Sequence, residues 1–244
     1  MTDRINKNMK YVAEQDRKFT DMGGVKIYHS IFPVRMKPED NAWGPVIRFD
    51  NKVLLPGRQD VQHFIGSPVQ VLRIAINGEA DYFDSWGYRT VLGEQGILAI
   101  DTGNEILSSV TQNNDDQTDT ELLEIWMLPG QEESSYQFHS GPVGREKGKF
   151  YTVVFTDEKE NANGKNQKKW LRIGTFKAGA NHTISAITAG HLLIFFVFNG
   201  EVTANGCQLD YRDTVIFSGE ASIFLEFNKD TNLFLMEIGK EEQR

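Results

Sequence analysis

The feature that most constrains this chain is an internal repeat. Ile74-Ala75-Ile76-Asn77-Gly78-Glu79 returns as Phe196-Val197-Phe198-Asn199-Gly200-Glu201, 122 positions later in a chain of 244. A period of half the chain length argues for duplication of one compact unit rather than an array of many small repeats. Each copy runs an apolar strand into Asn-Gly, a pair read as a tight hairpin whose two central residues take positive φ. Around the repeat, short runs rich in Val, Ile, Leu and Phe recur between Gly, Asn and Asp. They include Val69–Ile76, Gly96–Ile100, Leu122–Leu128, Phe150–Phe155, Leu192–Phe198, Thr214–Phe217 and Ser222–Phe227. Runs this short and β-branched read as strands of antiparallel barrels or sandwiches. The expectation is an all-β chain of two barrels, over residues 1–135 and 136–244, with a linker near 130–149. Only the first 20 residues leave room for a helical turn or two.

Charge excludes several partners. Lys and Arg number 26 against 34 Asp and Glu, giving −8 overall, a balance that repels phosphate backbones unless a basic face is segregated. The two basic stretches, Arg145–Lys149 and Lys165–Lys169, are short and sit among Gly and Asn, so no nucleic-acid binding is expected. Phe150 follows Lys149 where a phosphate loop needs Ser or Thr. No run approaches the roughly 18 apolar residues of a membrane helix, and the opening MTDRINKNMKYVAEQDRKFTD is too polar for a signal peptide. No membrane partner and a cytoplasmic location are expected. Cys207 is the one cysteine, which leaves no internal disulfide and no cysteine zinc cluster.

More specific motifs follow the repeat. Gly78-Glu79-Ala80-Asp81-Tyr82-Phe83-Asp84-Ser85-Trp86-Gly87 resembles the G-E-x-x-H-x-D-S-x-G segment of the pirin family. Leu123-Glu124-Ile125-Trp126-Met127-Leu128-Pro129 resembles its L-Q-x-W-x-L-P strand, and Ser135-Tyr136-Gln137 its S-Y-Q. Trp43–Asp50, Pro56-Gly57 and Phe198–Gly206 are similar to further parts of the two domains. The resemblance covers roughly residues 43–240 and implies two tandem cupin domains, which are antiparallel β-barrels of jelly-roll type. It also implies, for metal-bearing members, an iron-type site in the N-terminal barrel, with an H-x-H pair and a later H-x-E pair. Some members oxidise flavonols such as quercetin, and others are regulatory binding proteins.

Counted from the D-S-x-G segment, the ligand positions fall on Phe64 and Gly66, and on Ser108 and Val110. Phe, Gly and Val carry no donor atom, and a neutral hydroxyl is a poor one where iron-type sites use imidazole and carboxylate. His63 is adjacent to the first position, but alternation along a strand turns it to the other face. His29, His139, His182 and His191 are scattered. Gln70 stands where the family often has Glu. Asp101 and Glu105 read as an exposed turn, and Ser108-Ser109 has no neighbouring His to act as base. Cys207, after Asn-Gly, reads as an ordinary turn residue.

The reading is therefore a pirin-like bicupin with its metal ligands exchanged, needing no cofactor and having no catalytic residues. It is expected to bind a small neutral or aromatic molecule in a pocket lined by Phe64, Gly66, Ser108 and Val110, as a monomer or weak dimer. The runner-up is a metal-dependent dioxygenase of the quercetinase type.

Overall fold

The computed structural model describes residues 9–31, 44–66, 68–94, 96–128, 137–142, 147–155, 169–185 and 187–239. Most of the expected linker lies outside them. In chain order the strands are β1 (Met9–Val12), β2 (Lys18–Asp21), β3 (Val25–Ile31), β4 (Val46–Leu54), β5 (Gln59–Ile65), β6 (Gln70–Asn77) and β7 (Ala80–Asp84). Then come β8 (Arg89–Leu92), β9 (Gly96–Asp101), β10 (Ile106–Gln112), β11 (Thr120–Met127), β12 (Gln137–Pro142), β13 (Lys149–Phe155) and β14 (Lys169–Phe176). The last are β15 (Asn181–Ser185), β16 (His191–Asn199), β17 (Val202–Ala204), β18 (Cys207–Leu209), β19 (Thr214–Ser218), β20 (Ser222–Phe227) and β21 (Thr231–Gly239). A single 3₁₀ turn, Glu14–Asp16, stands where helix was conceivable. No helix among the described residues is long and apolar enough to cross a membrane.

Two compact units result, each of two antiparallel sheets. In one, the order β12-β9-β6-β11-β4-β3-β2 faces β5-β10-β7-β8, and in the other β1-β19-β16-β21-β14-β13 faces β15-β20-β17-β18. Apart from that one turn, every regular element among the described residues is a strand. The N-terminal strand joins the C-terminal unit: residues 9–16 group with 147–239, while 17–31 and 46–142 form the other unit. The join is specific, because Asp213 accepts from the Tyr11 hydroxyl at 2.7 Å and from the Glu14 amide at 2.9 Å.

The repeated Asn-Gly segment is a corner rather than a hairpin. β6 and β7 lie in different sheets, as do β16 and β17. Only the glycine takes positive φ, at 75° in Gly78 and 92° in Gly200, so the type I′ turn expected from the pair does not form. The glycine instead lets the corner close against the start of the strand paired with the one that enters it, β11 beside β6 and β21 beside β16. The Thr120 hydroxyl donates to the Glu79 carbonyl at 2.8 Å, and the Thr231 hydroxyl, 3.0 Å from the Glu201 carbonyl, accepts from the Glu201 amide at 3.1 Å. Where both residues do take positive φ, at Asn205 and Gly206, a true two-residue hairpin joins β17 to β18.

A Cβ on Gly200 would stand 2.2 Å from the Asp230 carbonyl oxygen, whereas one on Gly206 meets nothing within 4 Å. Both substitutions carry the left-handed backbone cost of about 1–2 kcal/mol. Gly200→Ala is therefore expected to lower the melting temperature well beyond Gly206→Ala; equal shifts would show that the corner is not closed by contact.

Candidate functional site

The two cores differ. That of the C-terminal unit is apolar, from Leu193, Phe195 and Val197 on β16 to Leu233 and Leu235 on β21. That of the N-terminal unit combines an apolar cluster with a buried ionic one. In β4 the inward positions carry Asp50 and Lys52, in β6 Arg73, and in β11 Glu124 and Trp126. From the facing sheet, β5 alternates strictly, burying Asp60, Gln62 and Phe64, while β10 buries Leu107, Ser109 and Thr111.

Glu124 is the hub. Lys52 Nζ lies 2.8 Å from its Oε1 and Arg73 Nε 2.8 Å from its Oε2. The Trp126 indole N–H donates to Oε1 at 2.9 Å and Gln62 Nε2 to both oxygens at 3.0 Å. Arg73 spends its other nitrogens on the Thr111 hydroxyl (2.9 Å) and Gln62 Oε1 (2.5 Å). Lys52 also reaches Asp60 at 2.5 Å. Beside this group His29 Nδ1 lies 2.7 Å from Asp50, which also pairs with Arg48. Burial alone would push the Glu124 carboxyl up, but Lys52, Arg73 and Arg48 outweigh it and hold the carboxyl well below its ordinary range. Donors saturate the carboxylate from both sheets, as burying a charge requires.

The positions expected to line a pocket do not converge. Phe64 is inward, 4% exposed, its ring 5.1 Å from that of Trp126. Gly66 lies beyond the end of β5, exposed, with φ of 61°. Ser108 and Val110 stand on the outer face of β10, because the register sets Leu107 opposite Phe64 and Ser108 opposite His63. His63 Nδ1 is 2.9 Å from the Ser108 hydroxyl at the exposed surface, beside Ile65 and Ile106 (70% and 68% exposed). The inward hydroxyl is that of Ser109, one residue on. It is buried with no hydrogen-bond partner among the described residues, one inward step from Leu107 and across from Gln62.

Counting from a motif carries no information about which face a residue takes, and this displaced the pair on β10 by one while leaving Phe64 inward. No motif marks Lys52, Asp60, Gln62 or Arg73 as a site residue, and Ser109 and Glu124 stand in the quoted segments without a role in the interior. A usable signal existed: Arg73 and Glu124 interrupt apolar runs where a charge has no route to solvent.

The C-terminal unit serves as an internal control. Aligned on the Gly78 and Gly200 corners, Phe195 replaces Arg73 and Leu235 replaces Glu124. The strand partnership is kept, Arg73 with Glu124 and Phe195 with Leu235. The architecture therefore does not require the charges. Cys207 is a poor candidate nucleophile, since burial and then the Asp213 carboxylate push its thiol up.

Two facing-sheet units with corners at the same repeat define a bicupin. Residues 152–238 match the quercetinase C-terminal cupin domain. No curated protein matches the sequence. The crystal structure of YhhW from Escherichia coli superposes with a TM-score of 0.81 at 14% identity, covering 97% of this chain and 100% of that one. Bacterial pirin YhhW in complex with nickel(II), also from Escherichia coli, gives 0.80 at 14%, covering 96% and 100%. Quercetin 2,3-dioxygenase from Acinetobacter baumannii gives 0.73 at 15%, covering 97% and 90%. At these identities the likeness is one of fold, and the chain has a pirin-like bicupin fold.

Among the described residues, the side chains at the four expected ligand positions do not fit an iron-group ion. Phe64, Gly66, Ser108 and Val110 offer neither imidazole nor carboxylate, and Glu124 and Asp60 are committed to internal cations. Among the described residues no group of three or more His, Cys, Asp or Glu side chains is placed to hold a metal.

Proposed function

We propose that this protein is a non-catalytic binding or regulatory bicupin. Its N-terminal unit receives a small, mostly neutral, aromatic molecule without a metal. The observation carrying this reading is that the interior carboxylates already have covalently tethered cations, Lys52 and Arg73. A divalent ion would have to displace an ammonium and a guanidinium from saturated bonds. What remains for a guest is the Phe64–Trp126 ring pair and the buried Ser109 hydroxyl, a mostly apolar wall with one polar point, which suits a small ligand.

The likeness to a quercetin 2,3-dioxygenase supports the competing reading, a metal-dependent oxygenase. Elemental analysis of the purified protein, before and after exposure to excess nickel and iron, separates the two. Below about 0.1 metal per chain with no oxygen uptake on quercetin is expected. One tightly held ion per chain would overturn the proposal.

A further inference from the structure

We infer that the C-terminal unit carries a separate polar site at Glu237, which takes the hydroxyl group of a small alcohol or phenol. Glu237 lies on β21, one inward step beyond Leu235, across from Leu193. It ends a row of apolar core residues and is itself fully buried. Its Oε1 accepts from the Thr188 amide at 2.8 Å. Its Oε2 is buried and accepts no hydrogen bond among the described residues. His191 Nδ1 is 2.9 Å from Oε1 yet makes no hydrogen bond there, since Oε1 lies off the direction in which a ring N–H would point. Buried polar atoms in folded proteins are nearly all hydrogen-bonded. Two exceptions meeting at one carboxylate mark a place built for a guest.

Geometry narrows the guest. The oxygens of one carboxylate are about 2.2 Å apart given C–O lengths near 1.23 Å. Oε2 and His191 Nδ1 therefore lie within about 5 Å, a gap that one oxygen spans with two hydrogen bonds of about 2.8 Å. That oxygen must donate to the carboxylate and accept from His191 in its Nδ1–H form. An ammonium only donates and a carbonyl only accepts, whereas a hydroxyl does both. The Arg172 guanidinium acts on Glu237 from β14, offsetting its charge and disfavouring a cationic guest. The His191 side chain is 15% exposed and so reaches solvent from beside the carboxylate.

The test is titration of the full chain with phenol and with anisole, the methyl ether that lacks the donor. The amide resonances of Thr188 and His191 are followed in ¹H–¹⁵N spectra of wild type, Glu237→Leu and His191→Phe. Phenol is expected to shift both wild-type resonances saturably, and to bind roughly tenfold or more weakly to each variant, the worth of a hydrogen bond to a charged group. Anisole should bind wild type weaker by a similar factor. Equal binding of the two probes would mean an apolar crevice. Phenol binding indifferent to both substitutions would place it elsewhere. No saturable shift would mean that the hydroxyl belongs to a structural water. Each of these overturns the inference. If Glu237→Leu fails to fold, His191→Phe, at a side chain that reaches solvent, carries the comparison alone.

Discussion

Glu124→Gln is expected to destabilise the protein by roughly 3–5 kcal/mol at neutral pH, the cost of breaking a buried ion pair by neutralising one partner. The substitution keeps the shape but leaves Lys52 and Arg73 as buried cations facing an amide that also donates. Arg73→Phe combined with Glu124→Leu should cost less than Glu124→Gln alone. It imports the Phe195–Leu235 partnership that the C-terminal unit already uses, and Lys52 keeps Asp60 at 2.5 Å. Acid supplies an independent arm. The folded carboxyl is held below its ordinary value of 4.5, so it adds stability above that value which disappears as pH falls through the lower folded one. Wild type has this contribution to lose and Glu124→Gln does not, so the gap between them should narrow on going from pH 7 to about 3.5. Denaturant midpoints of the three proteins at both pH values measure it. A Glu124→Gln midpoint equal to wild type at pH 7 would show that the network contributes nothing.

Sequence carried the duplication, the strand content and the family resemblance, because period-two apolar runs and small-residue turns are local signals that tertiary structure rarely overrides. It did not carry the change of sheet at each Asn-Gly corner. That change depends on Thr120 and Thr231 closing onto the corner from strands distant in sequence. Nor did it carry the face of β10. Ser108 and Ser109 are chemically identical, and only pairing with β5 decides which one is buried. The ionic cluster was hidden for the same reason. Lys52, Gln62, Arg73 and Glu124 come from separate strands and acquire meaning only once β4, β6 and β11 lie side by side with β5 facing them.

Phe64→Ala is expected to be comparably costly, about 3–5 kcal/mol for a large aromatic removed from a packed core. Phe64 is 4% exposed and belongs to the apolar cluster with Leu107. Its ring supports Trp126, whose indole N–H in turn holds Glu124 Oε1 at 2.9 Å. Truncation therefore removes apolar contact and loosens one donor on the buried carboxylate together. An apolar cavity of this kind stays dry and accepts a small aromatic guest, so benzene should raise the denaturation midpoint of Phe64→Ala by more than it raises that of wild type. Ser108→Ala and Val110→Ala, on the outer face of the same sheet, should stay within about 0.5 kcal/mol of wild type. The contrast discriminates between two registers that differ by one residue. If Ser108 and Val110 lined the interior with Phe64, all three substitutions would open space at the same point, and benzene would stabilise Val110→Ala as well. A Phe64→Ala protein that melts with wild type, or a benzene response in Val110→Ala larger than that of wild type, would reject the register on which the Ser109 and Glu124 site depends.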